Sequence, residues 1–253
     1  MDIDIIPCLS DNYSYLIKDN QTNTVAIIDP SEFSSCDKKI DQKYKKLDFI
    51  LNTHHHFDHI GGNEELKKKY GSKILGFEKD KKRIPAIDVL LEDGQEFKIG
   101  ELNFKTMFIP GHTSGHIAYY FETEKVIFTG DTLFSLGCGR VFEGTYQQMF
   151  ESLNKIKSLP GDTKIYCGHE YTKNNFSFCL KFNPNNNHLK DKEKVIKTKT
   201  KGNKPTIPST IRDEIQTNIF LRYDDLDVKA ALNLENASDI EIFKKLRDLK
   251  DNF

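Results

Sequence analysis

Thr53-His54-His55-His56-Phe57-Asp58-His59 is the stretch on which the reading of this 253-residue chain turns. In the form H-x-H-x-D-H it sets His54, His56, Asp58 and His59 at metal-ligand spacing. Three further stations follow. They are His112 in Pro110-Gly111-His112-Thr113-Ser114-Gly115-His116, Asp131 in Thr129-Gly130-Asp131-Thr132, and His169 in Gly168-His169-Glu170-Tyr171. Each comes just after a short apolar, β-branched or aromatic run, so each is expected at the end of a strand. Imidazole nitrogens and carboxylate oxygens without a thiolate suit zinc, iron or manganese. Seven such residues exceed the needs of one tetrahedral ion and suit two ions sharing one carboxylate.

On extended chain His54 and His56 point to the same side and can grip one ion together. Asp58 and His59 come after the chain turns, so they can face a second position. His112 can complete the first trio and His169 the second, with Asp131 as the carboxylate best suited to bridge. Metal binding lowers the pKa of water to about 7, so a hydroxide that attacks a polarised carbonyl or phosphoryl exists at neutral pH. His55, at odd spacing, points away from its neighbours and is expected to serve structure or to support a ligand. His116 is expected to hydrogen-bond within its loop, and His188 to be solvated. Asp29, after Val25-Ala26-Ile27-Ile28, can either orient a ligand histidine or cap a turn before Pro30. Cys138 and Cys167 are redundant beside seven nitrogen and oxygen ligands, and Cys167 reads as a core residue.

Bulk properties narrow the partners. With 37 basic and 38 acidic residues the net charge is −1, which gives no support to nucleic-acid binding. The 5 cysteines form no C-x-x-C pair and read as free thiols in a reducing compartment. Met1-Asp2-Ile3-Asp4 lacks the basic and apolar regions of a signal peptide, and no apolar run is long enough to span a bilayer. A cytoplasmic protein without a membrane partner is expected.

Strands are expected at Ile3 to Cys8, Tyr13 to Lys18, Thr24 to Ile28, Leu47 to Asn52, Ile74 to Phe77, Val89 to Leu91, Glu96 to Ile99, Asn103 to Ile109, Ile117 to Phe121, Val126 to Thr129 and Lys164 to Cys167. Helices are expected at Ser34 to Lys46, Glu64 to Gly71, from a capping box at Thr145-Gln148, at Phe176 to Phe182, Ser209 to Thr217 and Ser238 to Leu249. The Asn- and Lys-rich segment 183–204 reads as a solvated connection holding one polar helix. The strand pattern fades after His169. A mixed α/β domain over residues 1–170 and a helical domain over 171–253 are therefore expected.

These residues resemble the metallo-β-lactamase superfamily, and within it the glyoxalase II (hydroxyacylglutathione hydrolase) family. The superfamily resemblance rests on the seven ligand-type residues. The narrower one rests on Asp11-Asn12-Tyr13-Ser14-Tyr15-Leu16, Gly137-Cys138-Gly139-Arg140, Glu143-Gly144-Thr145, Gly168-His169-Glu170-Tyr171-Thr172, Pro205-Thr206-Ile207-Pro208-Ser209-Thr210 and Thr217-Asn218-Ile219-Phe220-Leu221-Arg222. The resemblance implies a four-layer αββα sandwich followed by a C-terminal helical domain. The implied reaction is hydrolysis of S-D-lactoylglutathione to D-lactate and glutathione, a step in methylglyoxal detoxification. It also implies two divalent ions, zinc first and iron or manganese as alternatives. His54, His56 and His112 would hold one ion, Asp58, His59 and His169 the other, with Asp131 shared. Asp58 and Asp131 are the expected catalytic carboxylates. Glutathione contacts carry over to Arg140, Tyr171 and Arg222, and Phe142 stands where the family often has a tyrosine at the tripeptide. A monomer is expected.

Three rival functions share parts of this pattern: a metal-dependent nuclease, a single-iron sulfur dioxygenase and a metal-binding scaffold. Neutral net charge weighs against the first. The complete Asp58 and His169 stations weigh against the second, and the complete ligand set against the third.

Overall fold

The N-terminal strands pair in sequence order. β1 (Asp2–Cys8) and β2 (Asn12–Lys18) are antiparallel, and β2 runs antiparallel to β3 (Val25–Ile28). Helix α1 (Phe33–Lys43) then crosses to β4 (Phe49–Leu51), which is parallel to β3. Helices α2 (Phe57–Ile60) and α3 (Asn63–Tyr70) lead to β5 (Lys73–Phe77), parallel to β4, and β6 (Val89–Leu91) adds parallel to β5. This computed structural model describes residues 1–202 and 204–253. Asn203, inside the expected 183–204 connection, lies outside the described residues.

Side chains alternate between the faces of a strand, so register decides what each face buries. Leu16, Ile27, Ile50 and Ile74 align across β2 to β5. They pack in one core cluster with Cys36 and Ile40 of α1 and Leu66 of α3. Burying each such aliphatic side chain contributes about 1.5–3 kcal/mol. Tyr15, Ile28, Leu51 and Leu75 align on the opposite face. Burial on both faces explains why Val25-Ala26-Ile27-Ile28 is apolar throughout rather than alternating.

That opposite face meets a second sheet. β7 (Glu96–Ile99), β8 (Leu102–Phe108), β9 (Ile117–Phe121) and β10 (Val126–Gly130) lie in the order β10-β9-β8-β7, each antiparallel to the next. Aromatic pairs fill the interface, with ring centroids 5.2 Å apart for Tyr15 and Phe128 and 4.8 Å for Phe77 and Phe108. Helices, sheet and sheet thus form three layers within the first compact unit, Met1–Phe108 with Ser114–Gly130.

The second compact unit comprises Ile109–Thr113 and Asp131–Phe253. It opens with a hairpin of β11 (Leu133–Phe134) and β12 (Gly137–Cys138). Helix α4 (Tyr146–Lys157) starts at the expected capping box, Thr145 with Gln148. β13 (Lys164–Cys167) pairs antiparallel with β14 (Ser209–Thr210), and between them run α5 (Thr172–Phe182) and α6 (Asn187–Lys201). α7 (Ile211–Thr217), α8 (Leu226–Ala231) and α9 (Asp239–Asp251) follow, and α9 starts at a capping box of Ser238 and Glu241.

Most of segment 183–204 is therefore a regular helix. The Asn186 side chain caps it by accepting from the Leu189 amide, and Leu189 and Ile196 anchor it. Helix α5 also begins at Thr172 rather than Phe176, and α2, α8 and the β11–β12 hairpin were not expected from sequence.

Candidate metal centre

The first four ligand-type residues follow the C-terminal end of β4, where open parallel sheets present their functional loops. Asp29, just past the end of the neighbouring strand β3, organises them. Its Oδ1 accepts from the Thr53 amide at 2.7 Å and its Oδ2 from the Thr53 hydroxyl at 2.6 Å. The same Oδ2 lies 3.0 Å from His59 Nδ1. With Nδ1 committed to a carboxylate, His59 presents Nε2, the arrangement that fixes tautomer and ring direction in metal-ligating histidines. Both Asp29 oxygens are used in this way, so Asp29 acts as the orienting group of the two roles open to it.

His54 and His56 converge as the two-residue spacing requires: His54 Nε2 lies 3.1 Å from His56 Nδ1. Two ligands at ordinary zinc–nitrogen distances in a tetrahedron are about 3.3 Å apart, so this pair fits one divalent ion. Thr53 Oγ1 sits 3.0 Å from His54 Nδ1, leaving Nε2 as the converging atom. Asn12 of β2 donates to Asp58 Oδ2 at 2.9 Å, and that oxygen is 3.7 Å from His59 Nε2. The first unit thus gathers two pairs, His54 with His56 and Asp58 with His59. His116 lies flat against His54, with ring centroids 4.6 Å apart and an interplanar angle of 19°. It is a wall under the ligand-type ring as well as a loop residue. Gly130, at φ +48°, is required beside it, because a Cβ there would lie 2.4 Å from Thr53 Oγ1.

The second unit gathers the other three. Asp131 Oδ2 is 3.2 Å from His169 Nε2 and 3.5 Å from His112 Nε2. His112 Nδ1 lies 2.9 Å from the Arg140 carbonyl, the bond that fixes Nδ1 as donor and frees Nε2. Tyr171 stacks on His169 at 4.8 Å between centroids with only 2° between the rings. One Asp131 oxygen therefore faces both the His112 and the His169 imidazole.

A tight hairpin joins Asp131 to Arg140, and helices distant in sequence hold its backbone. Asn218 Nδ2 donates to the Gly137 carbonyl at 3.0 Å, and Asn175 Nδ2 to the Ser135 carbonyl at 3.1 Å. The buried Glu214 carboxylate accepts from the Leu136 amide at 2.7 Å. Arg247 of α9 donates to the Cys138 carbonyl at 2.6 Å. Hydrogen bonds to charged groups contribute about 1.5–3 kcal/mol each, so Glu214 and Arg247 hold the loop firmly. Gly139 is needed there, since a Cβ would lie 1.9 Å from the Asp131 carbonyl oxygen.

Beside these residues the second unit holds a cavity of about 340 Å³. His112 and Asp131 line it, together with Arg140, Phe142 and Tyr171, all expected from sequence. Arg247, Lys250, Asp251, Asn174 and Asn175 line it too and were not expected. The Arg140 guanidinium lies 5.4 Å from the Phe142 ring centroid and its Nε 3.4 Å from Asp251 Oδ1. Burial, with nearby Arg247, holds the Lys250 ammonium below its ordinary pKa. Arg222 is placed elsewhere. It pairs with Asp225, donates to the Gln216 carbonyl at 3.2 Å, and is not among the residues lining the cavity. The sequence signal for the missed cations is Arg247-x-x-Lys250 on α9, whose phase is set by buried Ile242, Phe243 and Leu246.

No cysteine is activated at this site. Burial pushes the Cys138 thiol up to about 11 and the Cys167 thiol to about 12.

Comparison with known proteins agrees with this geometry. Residues 9–169 match the metallo-beta-lactamase superfamily, and residues 170–253 match the hydroxyacylglutathione hydrolase C-terminus. A hydroxyacylglutathione hydrolase of Pelagibacter ubique is 53% identical over 253 residues, covering 100% of both chains. The chain belongs to the hydroxyacylglutathione hydrolase family of the metallo-β-lactamase superfamily. A second family member, from Brucella ovis, is 46% identical over 100% of this chain and 98% of its own length. Among solved structures, ETHE1 from Myxococcus xanthus has a TM-score of 0.71 at 23% identity, covering 98% of this chain and 91% of that one. TTHA1623 in a di-iron-bound form has a TM-score of 0.56 at 25% identity, covering 67% of this chain and 92% of that one. The fold class is as expected: the metallo-β-lactamase fold followed by a helical C-terminal region. The fold and its histidine and aspartate groups are those of a protein that binds divalent metal ions. Among the described residues no helix is long and apolar enough to cross a membrane.

Proposed function

We propose that this chain hydrolyses S-(2-hydroxyacyl)glutathione thioesters, S-D-lactoylglutathione foremost, to the hydroxy acid and glutathione. The observation that carries the reading is the full-length identity of 53% to a hydroxyacylglutathione hydrolase, with every ligand-type residue present. The proposed organisation is a catalytic domain over residues 1–170 and a substrate-binding domain over 171–253. The enzyme is proposed to work as a cytoplasmic monomer.

The proposed ligand set is His54, His56 and His112 for one ion, Asp58, His59 and His169 for the other, with Asp131 shared. Support comes from the converging nitrogens of His54 and His56 and from Asp131 between His112 and His169. The solved relative in a di-iron-bound form supports two ions, and zinc is proposed for this chain because nitrogen and oxygen ligands suit it. Bound there, such ions would supply a hydroxide nucleophile at neutral pH and Lewis acidity toward a thioester carbonyl.

The protein's own groups then bind and aim the substrate. Glutathione has two carboxylates, and Arg140 and Lys250 offer cations to them in the cavity. Tyr171, flat on His169, and Phe142 provide aromatic walls for the tripeptide. Arg247 is spent on the hairpin backbone and acts by placing Gly139 and Arg140. The thiolate leaving group needs little protonation, so no general acid is required.

Hydrolysis of S-D-lactoylglutathione should be compared with that of a lactoyl thioester of a small thiol. The proposal expects kcat/KM to fall at least tenfold without the tripeptide, the loss of about one charge-assisted contact. Equal kcat/KM for the two would remove glutathione from the proposal.

A further inference from the structure

Asp80 ends the one-turn helix Glu78–Asp80 after β5 and is fully buried. A buried carboxylate needs partners, and Asp80 meets Arg83, His55 and the Gly115 backbone. Arg83 donates to its Oδ1, and the same guanidinium nitrogen reaches Ser114 Oγ at 3.0 Å. Asp80 Oδ2 faces His55 Nδ1 at 3.5 Å. Asp80 also fills the space beside Gly115, where a Cβ would lie 2.0 Å from Oδ1.

These contacts converge. His55 lies between His54 and His56 in sequence, and its ring faces Asp80 while the His54 and His56 nitrogens converge on each other at 3.1 Å. Ser114 and Gly115 precede His116, whose ring backs His54 at 4.6 Å. One buried carboxylate therefore touches both supports of His54: the histidine that follows it and the loop that places the ring beneath it.

We infer that Asp80 is a positioning residue for the His54–His56 ion, acting through His55 and through the Ser114-Gly115 segment. The inference rests on the ligand assignment proposed above. Groups that orient metal ligands typically change affinity by about 10- to 100-fold when removed.

The test is a zinc titration of metal-free protein against a competing chelator, for the wild type, Asp80→Asn and His55→Ala. The wild type should bind two ions. Asp80→Asn should keep one of them at wild-type affinity and weaken the other about 10- to 100-fold. His55→Ala should weaken the same ion, and the double variant should lose little more than the worse single one, because both substitutions break one linkage. A general loss of structure would weaken both ions together, and that result would overturn the inference, as would wild-type affinity at both sites in either variant. Should Asp80→Asn fail to fold, His55→Ala decides alone, since its side chain reaches solvent and is not in the core. A wild type that binds only one ion contradicts the binuclear assignment instead, so the two failures are distinguishable.

Discussion

Asp29 Oδ2 stands 3.0 Å from His59 Nδ1 while also accepting from the Thr53 hydroxyl at 2.6 Å. One carboxylate at the end of β3 thus sets both a ligand-type ring and the first residue of the histidine run. Asp29→Ala should weaken the Asp58–His59 ion about 10- to 100-fold. It should also destabilise the metal-free protein by about 1–3 kcal/mol, because the buried Thr53 amide loses its acceptor. Calorimetric zinc titration and urea melts of the metal-free protein measure the two effects separately.

Lys250 should dominate the charge contribution to glutathione recognition. Lys250→Ala should lower kcat/KM for S-D-lactoylglutathione about 10- to 150-fold, mostly through KM, because the tripeptide carboxylates are remote from the reacting carbonyl. Arg222→Ala should change it less than threefold (about 0.6 kcal/mol), since that guanidinium is engaged by Asp225 and Gln216. Steady-state kinetics of both variants decide between the cations. A larger effect at Arg222 than at Lys250 would reverse the assignment.

Catalysis should not pass through an acylated cysteine. A Cys138 thiol at about 11 is ionised in about one molecule in ten thousand at pH 7. Cys138→Ala should therefore keep kcat within about threefold, a loss of under 1 kcal/mol. Intact-mass measurement during turnover should show no protein species heavier by one acyl group.

Acid stability offers a check on the fold that is independent of metal. Burial raises the pKa of Asp19, but the Thr22 hydroxyl and the amides of Gln21, Thr22 and Glu101 outweigh it and hold the carboxyl far below its ordinary value. A carboxyl depressed on folding stabilises the protein above its unfolded pKa of about 3.9 and loses that contribution as pH falls toward the folded value. Metal-free wild type should therefore lose stability steeply below about pH 4, and Asp19→Asn should be less stable at pH 7 with a shallower acid limb. Thermal melts from pH 7 to pH 2.5 read the difference, and parallel curves would contradict it.

The ligand-type residues were legible because their geometry is local. Two-residue spacing on extended chain makes His54 and His56 converge whatever surrounds them, and the apolar runs before His112, Asp131 and His169 announced strand ends. The supports were not legible, because they are made by tertiary partners. Asp80 reads as one more turn acid until Arg83, His55 and Gly115 surround it. The β11–β12 hairpin has strands of two residues each, too short for any alternation, and is held by Asn175, Asn218 and Arg247 from far along the chain. Helix α6 was legible only as one polar helix without bounds inside segment 183–204, because only Leu189 and Ile196 of its fifteen residues are buried. Arg222 was read from sequence as a substrate cation and Lys250 was missed, because only tertiary structure engages Arg222 with Asp225 and the Gln216 carbonyl and sets Lys250 in the cavity wall.

The most direct test of the binuclear thioester hydrolase is one titration. Metal-free protein receives zinc in steps while the hydrolysis rate of saturating S-D-lactoylglutathione is followed. The rate should rise until two equivalents are bound and then stay level, and the fully loaded enzyme, assayed at low substrate, should show a kcat/KM of about 10⁴–10⁸ M⁻¹s⁻¹. A rate that is already maximal at one equivalent, or no hydrolysis with two ions bound, would contradict the binuclear hydrolase.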